Sequence, residues 1–186
     1  PTISTQPTAT QTICVGGSPS NLTLAYSNGT GTATYQWYSN TTNSTTGGTS
    51  IAGATAATYA PPVINTAGNY YYYGIATLSG TGCGTATSAV AQVTVVADPT
   101  ISTQPTATQT ICVGGSPSNL TLAYNNGTGT ATYQWYSNTT NSTTGGTSIA
   151  GATAATHAPP VINTAGNYYY YGIATLSGTG CGTATS

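Results

Sequence analysis

The sequence predicts an all-β protein made of two tandem domains, and three observations support this. Its residues are mostly Thr, Ser, Ala, Gly, Asn, Tyr and Val, which favour strands and turns, whereas Glu, Lys, Arg and Met are absent. The stretch Pro1–Ser88 recurs as Pro99–Ser186, with only Ser27 changed to Asn125 and Tyr59 changed to His157. Within each copy, apolar and polar residues alternate between groups of turn formers, as they do in half-buried strands.

The alternation defines the strands of one repeat in order. Asn21–Tyr26 directs Leu22, Leu24 and Tyr26 to one face, and a turn over Ser27–Gly31 ends it. Ala33–Ser39 places Tyr35 and Trp37 on one face and Gln36 and Tyr38 on the other. The polar stretch Asn40–Ser50 is expected to be a loop or a ragged edge strand. The remaining predicted strands are Ala56–Ala60, which ends at Pro61-Pro62, and the closing pair Asn69–Leu78 and Ala89–Val96, joined through Ser79–Gly82.

About seven short strands, turns roughly every ten residues and one Trp on the third strand are typical of an immunoglobulin-like (Ig-like) β-sandwich. The runs Tyr35-Gln36-Trp37-Tyr38, Ala67-Gly68-Asn69-Tyr70 and Val93-Thr94-Val95 resemble its core. The chain is similar in detail to the tandem, Thr/Gly-rich Ig-like repeats of secreted surface proteins of Bacteroidota. This resemblance implies a structural or adhesive role, with Tyr70 as the corner tyrosine and Tyr72 at an inward position that antibody domains fill with cysteine.

We therefore expect Ig-like repeat 1 over residues 1–98 and Ig-like repeat 2 over residues 99–186. Repeat 2 has no counterpart of Ala89–Asp98, the segment AVAQVTVVAD, within this sequence. A groove of unpaired backbone groups beside exposed core residues promotes aggregation. We expect repeat 2 to be completed by strand addition from another molecule, or by a continuation of the same polypeptide. Either route creates a head-to-tail contact that propagates into a filament unless it closes into a ring.

Four cysteines at matching positions indicate an oxidising compartment. We expect two bridges within the repeats, Cys14–Cys83 and Cys112–Cys181, and all four cysteines oxidised. A bridge between neighbouring subunits is the alternative, because the two positions of one repeat need not lie within the Cα separation of about 7 Å that a disulfide requires. Metal binding by these cysteines is disfavoured, since no CxxC pair or nearby His has the required spacing.

The near absence of charge excludes several functions. Only 1% of the residues are charged, and no Lys or Arg is present to neutralise phosphates, so nucleic-acid binding is not expected. The sequence contains no run of about 20 apolar residues, so it predicts no membrane-spanning helix. A single acidic residue, Asp98, cannot form an acidic calcium cage, and its expected role is to shape the junction before Pro99. With one His and one Asp in the chain, we expect no catalytic triad, no enzymatic activity and no cofactor.

Two further features have plain structural explanations. His157 replaces Tyr59 in an otherwise equal context, which indicates drift at a tolerant position. Glycosylation triplets recur throughout this Thr-rich chain, and turn-forming Asn beside strand-forming Thr explains them without N-glycosylation. These triplets begin at Asn21, Asn28, Asn40, Asn43, Asn119, Asn126, Asn138 and Asn141.

The runs Tyr70–Tyr73 and Tyr168–Tyr171 are harder to explain by fold alone. Successive side chains of a strand face opposite ways, so Tyr71 and Tyr73 are expected to point outward beside Tyr38. In repeat 2 the equivalent residues are Tyr136, Tyr169 and Tyr171. These six tyrosines form either a solvated sheet face or a contact surface for protein or sugar.

Three classes of function fit these observations. The first is a structural subunit of an extracellular fibre or surface stalk, with copies of itself as partners. The second is an adhesin or carbohydrate-binding module that stacks the outward tyrosines on surface glycans. The third is a passive spacer attached to a secreted enzyme. All three place the chain outside the cell or on its surface.

Overall fold

A computed structural model describes residues 1–81 and 84–186 of the chain. It divides into two compact units, Pro1–Ala97 and Asp98–Ser186, one residue from the predicted boundary. The described residues form strands, turns and irregular segments, with no helix among them. The protein is thus all-β and consists of two Ig-like β-sandwich repeats, as the sequence predicts.

Repeat 1 places its strands in two layers. One layer contains the antiparallel pairs β1–β4 and β3–β7, and the other follows the order β2-β10-β8-β5-β6, with β9 also paired to β8. The strands are β1 (Thr2–Thr5), β2 (Thr10–Cys14), β3 (Leu22–Thr23), β4 (Ala25–Ser27), β5 (Ala33–Asn40), β6 (Thr49–Ser50), β7 (Thr58–Tyr59), β8 (Gly68–Leu78), β9 (Thr85–Thr87) and β10 (Ala91–Val96).

The predicted strand Asn21–Tyr26 is divided at Leu24 into β3 and β4. The two pieces pair with different neighbours, β3 with β7 and β4 with β1. Leu24 itself donates its backbone N–H to the carbonyl of Ala57 at 3.0 Å. Leu22 and Leu24 are both buried, so the predicted inward face is confirmed.

The core of repeat 1 is built around Trp37 and Gly74, which lie opposite each other in the β5–β8 pair. A Cβ on Gly74 would lie 3.3 Å from the Trp37 ring and would clash with Leu24, so glycine makes room for both side chains. The Trp37 indole is fully buried and donates its Nε1–H to the carbonyl of Ala56 at 2.9 Å, which satisfies its polar group. The buried cluster comprises Ile13, Leu22, Leu24, Trp37, Ile64, Tyr72, Ala76, Ala91, Val93 and Val95.

The closing strands are more divided than the sequence predicts. The expected direct link from β8 to the last strand contains β9, which pairs with the second half of β8, while β10 pairs with the first half. Ser88 lies between them and is buried. Its Oγ accepts a hydrogen bond from the Gly74 N–H at 2.9 Å, and its own N–H donates to the Gly74 carbonyl at 2.8 Å. Where the chain passes from β9 to β10, the Ser88 hydroxyl thus replaces the backbone carbonyl that would otherwise accept the Gly74 N–H in the β-ladder.

Repeat 2 repeats this arrangement apart from one edge of the larger sheet. Within residues 99–186, β2 and β10 have no counterparts, and the long strand begins at Tyr169 instead of the equivalent of Gly68. The strands are β11 (Thr100–Thr103), β12 (Leu120–Thr121), β13 (Ala123–Asn125), β14 (Ala131–Asn138), β15 (Thr147–Ser148), β16 (Thr156–His157), β17 (Tyr169–Leu176) and β18 (Thr183–Thr185). The buried cluster here comprises Leu120, Leu122, Trp135 and Ala174.

Candidate functional site

The tyrosine run of β8 alternates between the core and the opposite face, as predicted. Tyr72 is buried in the core, where desolvation, followed by the neighbouring Tyr59 and Tyr70, raises its pKa to about 12. The Tyr70 hydroxyl donates to the carbonyl of Thr66 at 3.0 Å, which is the hydrogen bond of a tyrosine corner. Tyr168 makes the equivalent bond to Thr164 at 3.1 Å. The roles expected of Tyr70 and Tyr72 are therefore confirmed.

On the other face, Tyr38 and Tyr73 lie opposite each other in the β5–β8 register. Their rings are parallel, with centroids 5.0 Å apart and an interplanar angle of 4°. Tyr136 and Tyr171 form the same stacked pair in repeat 2. Each repeat thus carries one cross-strand tyrosine pair outside its core.

The predicted outward exposure of Tyr73 and Tyr171 is wrong, because a loop covers each ring. Tyr73 is only 3% exposed, and a Cβ on Gly48 would lie 2.8 Å from both its Cε1 and its hydroxyl oxygen. Gly146 has the same relation to Tyr171, which is 5% exposed. Tyr38, Tyr71, Tyr136 and Tyr169 remain half-buried, and their contact with a partner stays a prediction.

Asn40 holds this covering loop in shape. Its Nδ2 donates to the carbonyls of Ser44 and Thr46, at 2.9 and 3.0 Å, and its Oδ1 accepts from the backbone N–H groups of Thr41 and Thr42. Asn138 makes the same four bonds in repeat 2. The side-chain amides of Asn40 and Asn138 thus stabilise the loop. This agrees with the structural explanation given for the Asn-x-Ser/Thr triplets that begin at these residues.

The substitution of Tyr59 by His157 lies against the core tryptophan. The His157 ring stacks on Trp135 at 5.8 Å and 30°, and Tyr170 lies at 5.8 Å on another side. His157 is 9% exposed, and its buried Nε2 has no hydrogen-bond partner. Burial lowers the pKa of this imidazole. The position therefore belongs to the core and is not the tolerant position that the sequence indicated. Trp37 and Trp135 differ in this neighbour, which is Tyr59 in repeat 1 and His157 in repeat 2.

The cysteines differ between the repeats. Cys14 ends β2, is fully buried and is disulfide-bonded, and Cys181 is also disulfide-bonded. The expected bridge Cys112–Cys181 is wrong, because Cys112 is a free and exposed cysteine. The physical reason is that Thr108–Cys112 forms no strand, so Cys112 is not held in the buried position of Cys14. Cys83, the predicted partner of Cys14, lies outside the described residues.

A groove runs along the edge of repeat 2 that has no counterparts of β2 and β10. It has a volume of about 540 Å³ and lies between Thr108–Val113 and Gly166–Tyr170, with Leu120, Ile162 and Ser186 among its lining residues. We refer to it as the repeat-2 groove. Ile111 and Val113 are 37% and 62% exposed in it, whereas Ile13, the counterpart of Ile111, is 2% exposed in repeat 1.

Residues 1–81 and 84–186 contain neither a metal-binding cluster nor a membrane-spanning helix. No cluster of three or more His, Cys, Asp or Glu side chains in this part of the chain could hold a metal ion. Over the same residues, no helix is long and apolar enough to cross a membrane.

The chain belongs to the family described as "Domain of unknown function (DUF8696)", which it matches twice, over residues 3–97 and 101–186. No curated protein matches the sequence.

Similar solved structures include fibronectin(III)-like modules of Clostridium thermocellum CbhA, with 17% identity, a TM-score of 0.37 and coverage of 98% of this chain and 90% of that one. Sidekick-1 immunoglobulin domains 1–5 show 14% identity, a TM-score of 0.45 and coverage of 99% and 37%. A Dscam structure addressing isoform specificity shows 14% identity, a TM-score of 0.38 and coverage of 98% and 43%. The chain therefore spans less than half of the length of each of the last two structures.

Proposed function

We propose that this chain is a structural segment of an extracellular fibre or surface stalk in which Ig-like repeats follow one another head to tail. The observation that carries the proposal is the pair of nearly identical repeats, each with its own Trp-centred core. Each repeat covers one tyrosine of its outer sheet face, Tyr73 or Tyr171, with its own loop, as expected of a building block.

The chemistry of the surface supports an extracellular material. The formal net charge is −1, and Asp98 is the single acidic residue, so the repulsion that keeps ordinary domains apart is nearly absent. Disulfide-bonded Cys14 and Cys181 suit an oxidising compartment. The resemblance to repeats of secreted Bacteroidota surface proteins agrees with this location and suggests that lineage. In this proposal the chain is not an enzyme, and its partners are copies of itself.

Electron microscopy of the purified protein without added ligand tests this proposal. We expect ordered filaments whose axial repeat is a multiple of one Ig-like domain, and we expect them to persist in 1 M salt because no ion pairs join the units. Dispersed single particles at every protein concentration would contradict a fibre or stalk subunit.

An adhesin that stacks tyrosines on glycans is the second candidate. Half-buried Tyr38 and Tyr71 support it, since their rings keep some exposed surface, whereas loop-covered Tyr73 reduces the area that a sugar could reach. Glycan-array binding that Tyr71→Ala and Tyr169→Ala together abolish would favour this function. Tyr73→Ala is unsuitable for that test, because it would remove a buried ring and disturb the fold.

A further inference from the structure

The single acidic side chain of the protein lies at the junction of the two repeats. Asp98 follows β10, which ends at Val96, and precedes Pro99, after which β11 begins. Neither Asp98 nor Pro99 belongs to a strand. The Asp98–Pro99 peptide bond joins residues 1–98 to residues 99–186, which are the two repeats that the sequence predicts. Hydrolysis of this one bond would therefore separate them.

The two residues of this bond differ in their surroundings. Asp98 is exposed, so packing does not restrict rotation about its side-chain bonds. Pro99 is buried beside Gly127, where an added Cβ would lie 3.5 Å from both Cβ and Cδ of the proline ring. Repeat 2 thus holds the proline in place, whereas the carboxylate of Asp98 stays accessible to water and can turn toward its own backbone carbonyl.

No basic side chain neutralises the Asp98 carboxylate. The chain contains no Lys or Arg, and its single histidine, His157, is 9% exposed and stacks on Trp135 in the core of repeat 2. The strands on either side of the bond, β10 and β11, contain no titratable residue. Gly127, against which Pro99 packs, carries no side chain. The carboxylate is therefore available as a nucleophile.

We propose that the Asp98–Pro99 peptide bond is an acid-labile scission site that separates the two repeats. A carboxylate oxygen of Asp98 attacks the backbone carbonyl carbon of the same residue and forms a five-membered cyclic anhydride. The C–N bond to Pro99 breaks, and the proline nitrogen takes a proton from the acidic solution and leaves as a secondary amine. Water then opens the anhydride, so Asp98 ends the first fragment with two carboxyl groups and Pro99 begins the second.

The proline directs the reaction to chain scission. At other Asp-x bonds the following backbone N–H attacks the side-chain carboxyl, and a succinimide forms without cleavage. Proline has no backbone N–H, so this route is closed at Pro99. Attack by a group of the same residue also replaces an encounter with a separate nucleophile, which is a large rate advantage. The inference goes beyond the proposed fibre or stalk, because it concerns the link within one chain and holds whether or not chains assemble.

Incubation of the full 186-residue chain at about pH 4, where aspartate side chains of model peptides are partly ionised, tests the proposal by intact mass measurement. We expect two fragments, Pro1–Asp98 and Pro99–Ser186, formed within about 10-fold of the rate in the synthetic peptide VVADPTIS, which covers residues 95–102. Misplacement of an attacking group costs up to about 100-fold in rate. Cleavage of the folded chain more than about 10-fold slower than that of the peptide would therefore overturn the proposal.

Two variants separate this chemistry from other effects. Asp98→Asn removes the carboxylate and should slow cleavage at least about 10-fold. His157→Tyr removes the buried imidazole, whose protonation in acid favours unfolding, and should leave the cleavage rate unchanged. The bonds Gln6–Pro7 and Gln104–Pro105 are internal controls without an aspartate and should stay intact. Equal cleavage of the parent chain and Asp98→Asn would overturn the proposal, as would loss of cleavage in His157→Tyr.

Discussion

The His157 imidazole stacks on Trp135 with a centroid separation of 5.8 Å, in the place where Tyr59 lies 6.0 Å from Trp37 in repeat 1. Both rings are inclined by 30° to the indole. The imidazole brings a buried Nε2 without a hydrogen-bond partner into the core of repeat 2. The same position beside the core tryptophan therefore carries a phenol in repeat 1 and an imidazole in repeat 2.

We predict that repeat 2 is less stable in acid than repeat 1. Burial lowers the pKa of His157, so below the unfolded-state pKa of about 6.5 the unfolded chain binds a proton that the folded repeat excludes. The folded state then loses stability as pH falls below that value, and it is unaffected well above it. The neighbouring groups are Trp135 and Tyr170, and neither carries a negative charge in acid that could compensate.

Denaturant unfolding at pH 7.5 and pH 5 measures this effect in the variants His157→Tyr and Tyr59→His. The first should abolish the acid sensitivity of repeat 2, and the second should create the same sensitivity in repeat 1 while repeat 2 keeps its own. Equal acid sensitivity of the parent chain and His157→Tyr would contradict the assignment.

A second prediction concerns alkaline pH and Tyr72. Burial first, and then Tyr59 and Tyr70, raise the pKa of Tyr72 to about 12, so the unfolded chain ionises before the folded one. Stability should fall as pH rises from about 10 to 12, by roughly 2 to 3 kcal/mol from this residue. Tyr72→Phe should reduce the decline in repeat 1. An identical pH profile for parent and variant would exclude Tyr72 as the source.

A third prediction tests the loop that covers Tyr73. Gly48→Ala would place a Cβ 2.8 Å from the Tyr73 ring and 2.9 Å from the Ser39 carbonyl oxygen, so we expect a destabilisation of about 1 to 3 kcal/mol. Gly84→Ala is the control, because a Cβ there meets nothing within 4 Å. Urea unfolding should separate the two variants, and equal stabilities would mean that the loop does not pack on Tyr73.

A fourth prediction concerns the tyrosine corner. Tyr70→Phe removes the hydrogen bond to the Thr66 carbonyl and should lower the free energy of unfolding of repeat 1 by about 1 kcal/mol. Tyr71→Phe, on the opposite face, should change it by less than about 0.5 kcal/mol. A Tyr70→Phe variant as stable as the parent in chemical denaturation would show that this bond contributes nothing measurable.

Much of the fold could be predicted because the sequence carries local signals for it. The period-two alternation predicted the inward faces at Leu22, Leu24 and Trp37, and the resemblance to Ig-like domains implied that Tyr70 is the corner tyrosine. The additional strand β9, which ends just before Ser88, was missed, because a serine that replaces a ladder partner has no distinctive local pattern.

The accessibility of the candidate site was less predictable. Alternation states which face a side chain points to, but it does not state whether a loop covers that face. The sequence predicts a loop or a ragged edge strand over Asn40–Ser50, and only the structure shows that Gly48 within it lies on Tyr73. The state of Cys112 likewise depends on strand pairing far along the sequence, since β2 is held by β10, which lies more than 70 residues later.

Amide hydrogen exchange on the 186-residue chain, at low concentration, tests most directly whether β10 closes one edge of the larger sheet in repeat 1. In the parent chain, we predict that amides of Thr108–Cys112 and Gly166–Tyr170 exchange much faster than those of Thr10–Cys14 and Gly68–Tyr72. Equal protection of the matching segments at this low concentration would contradict that assignment.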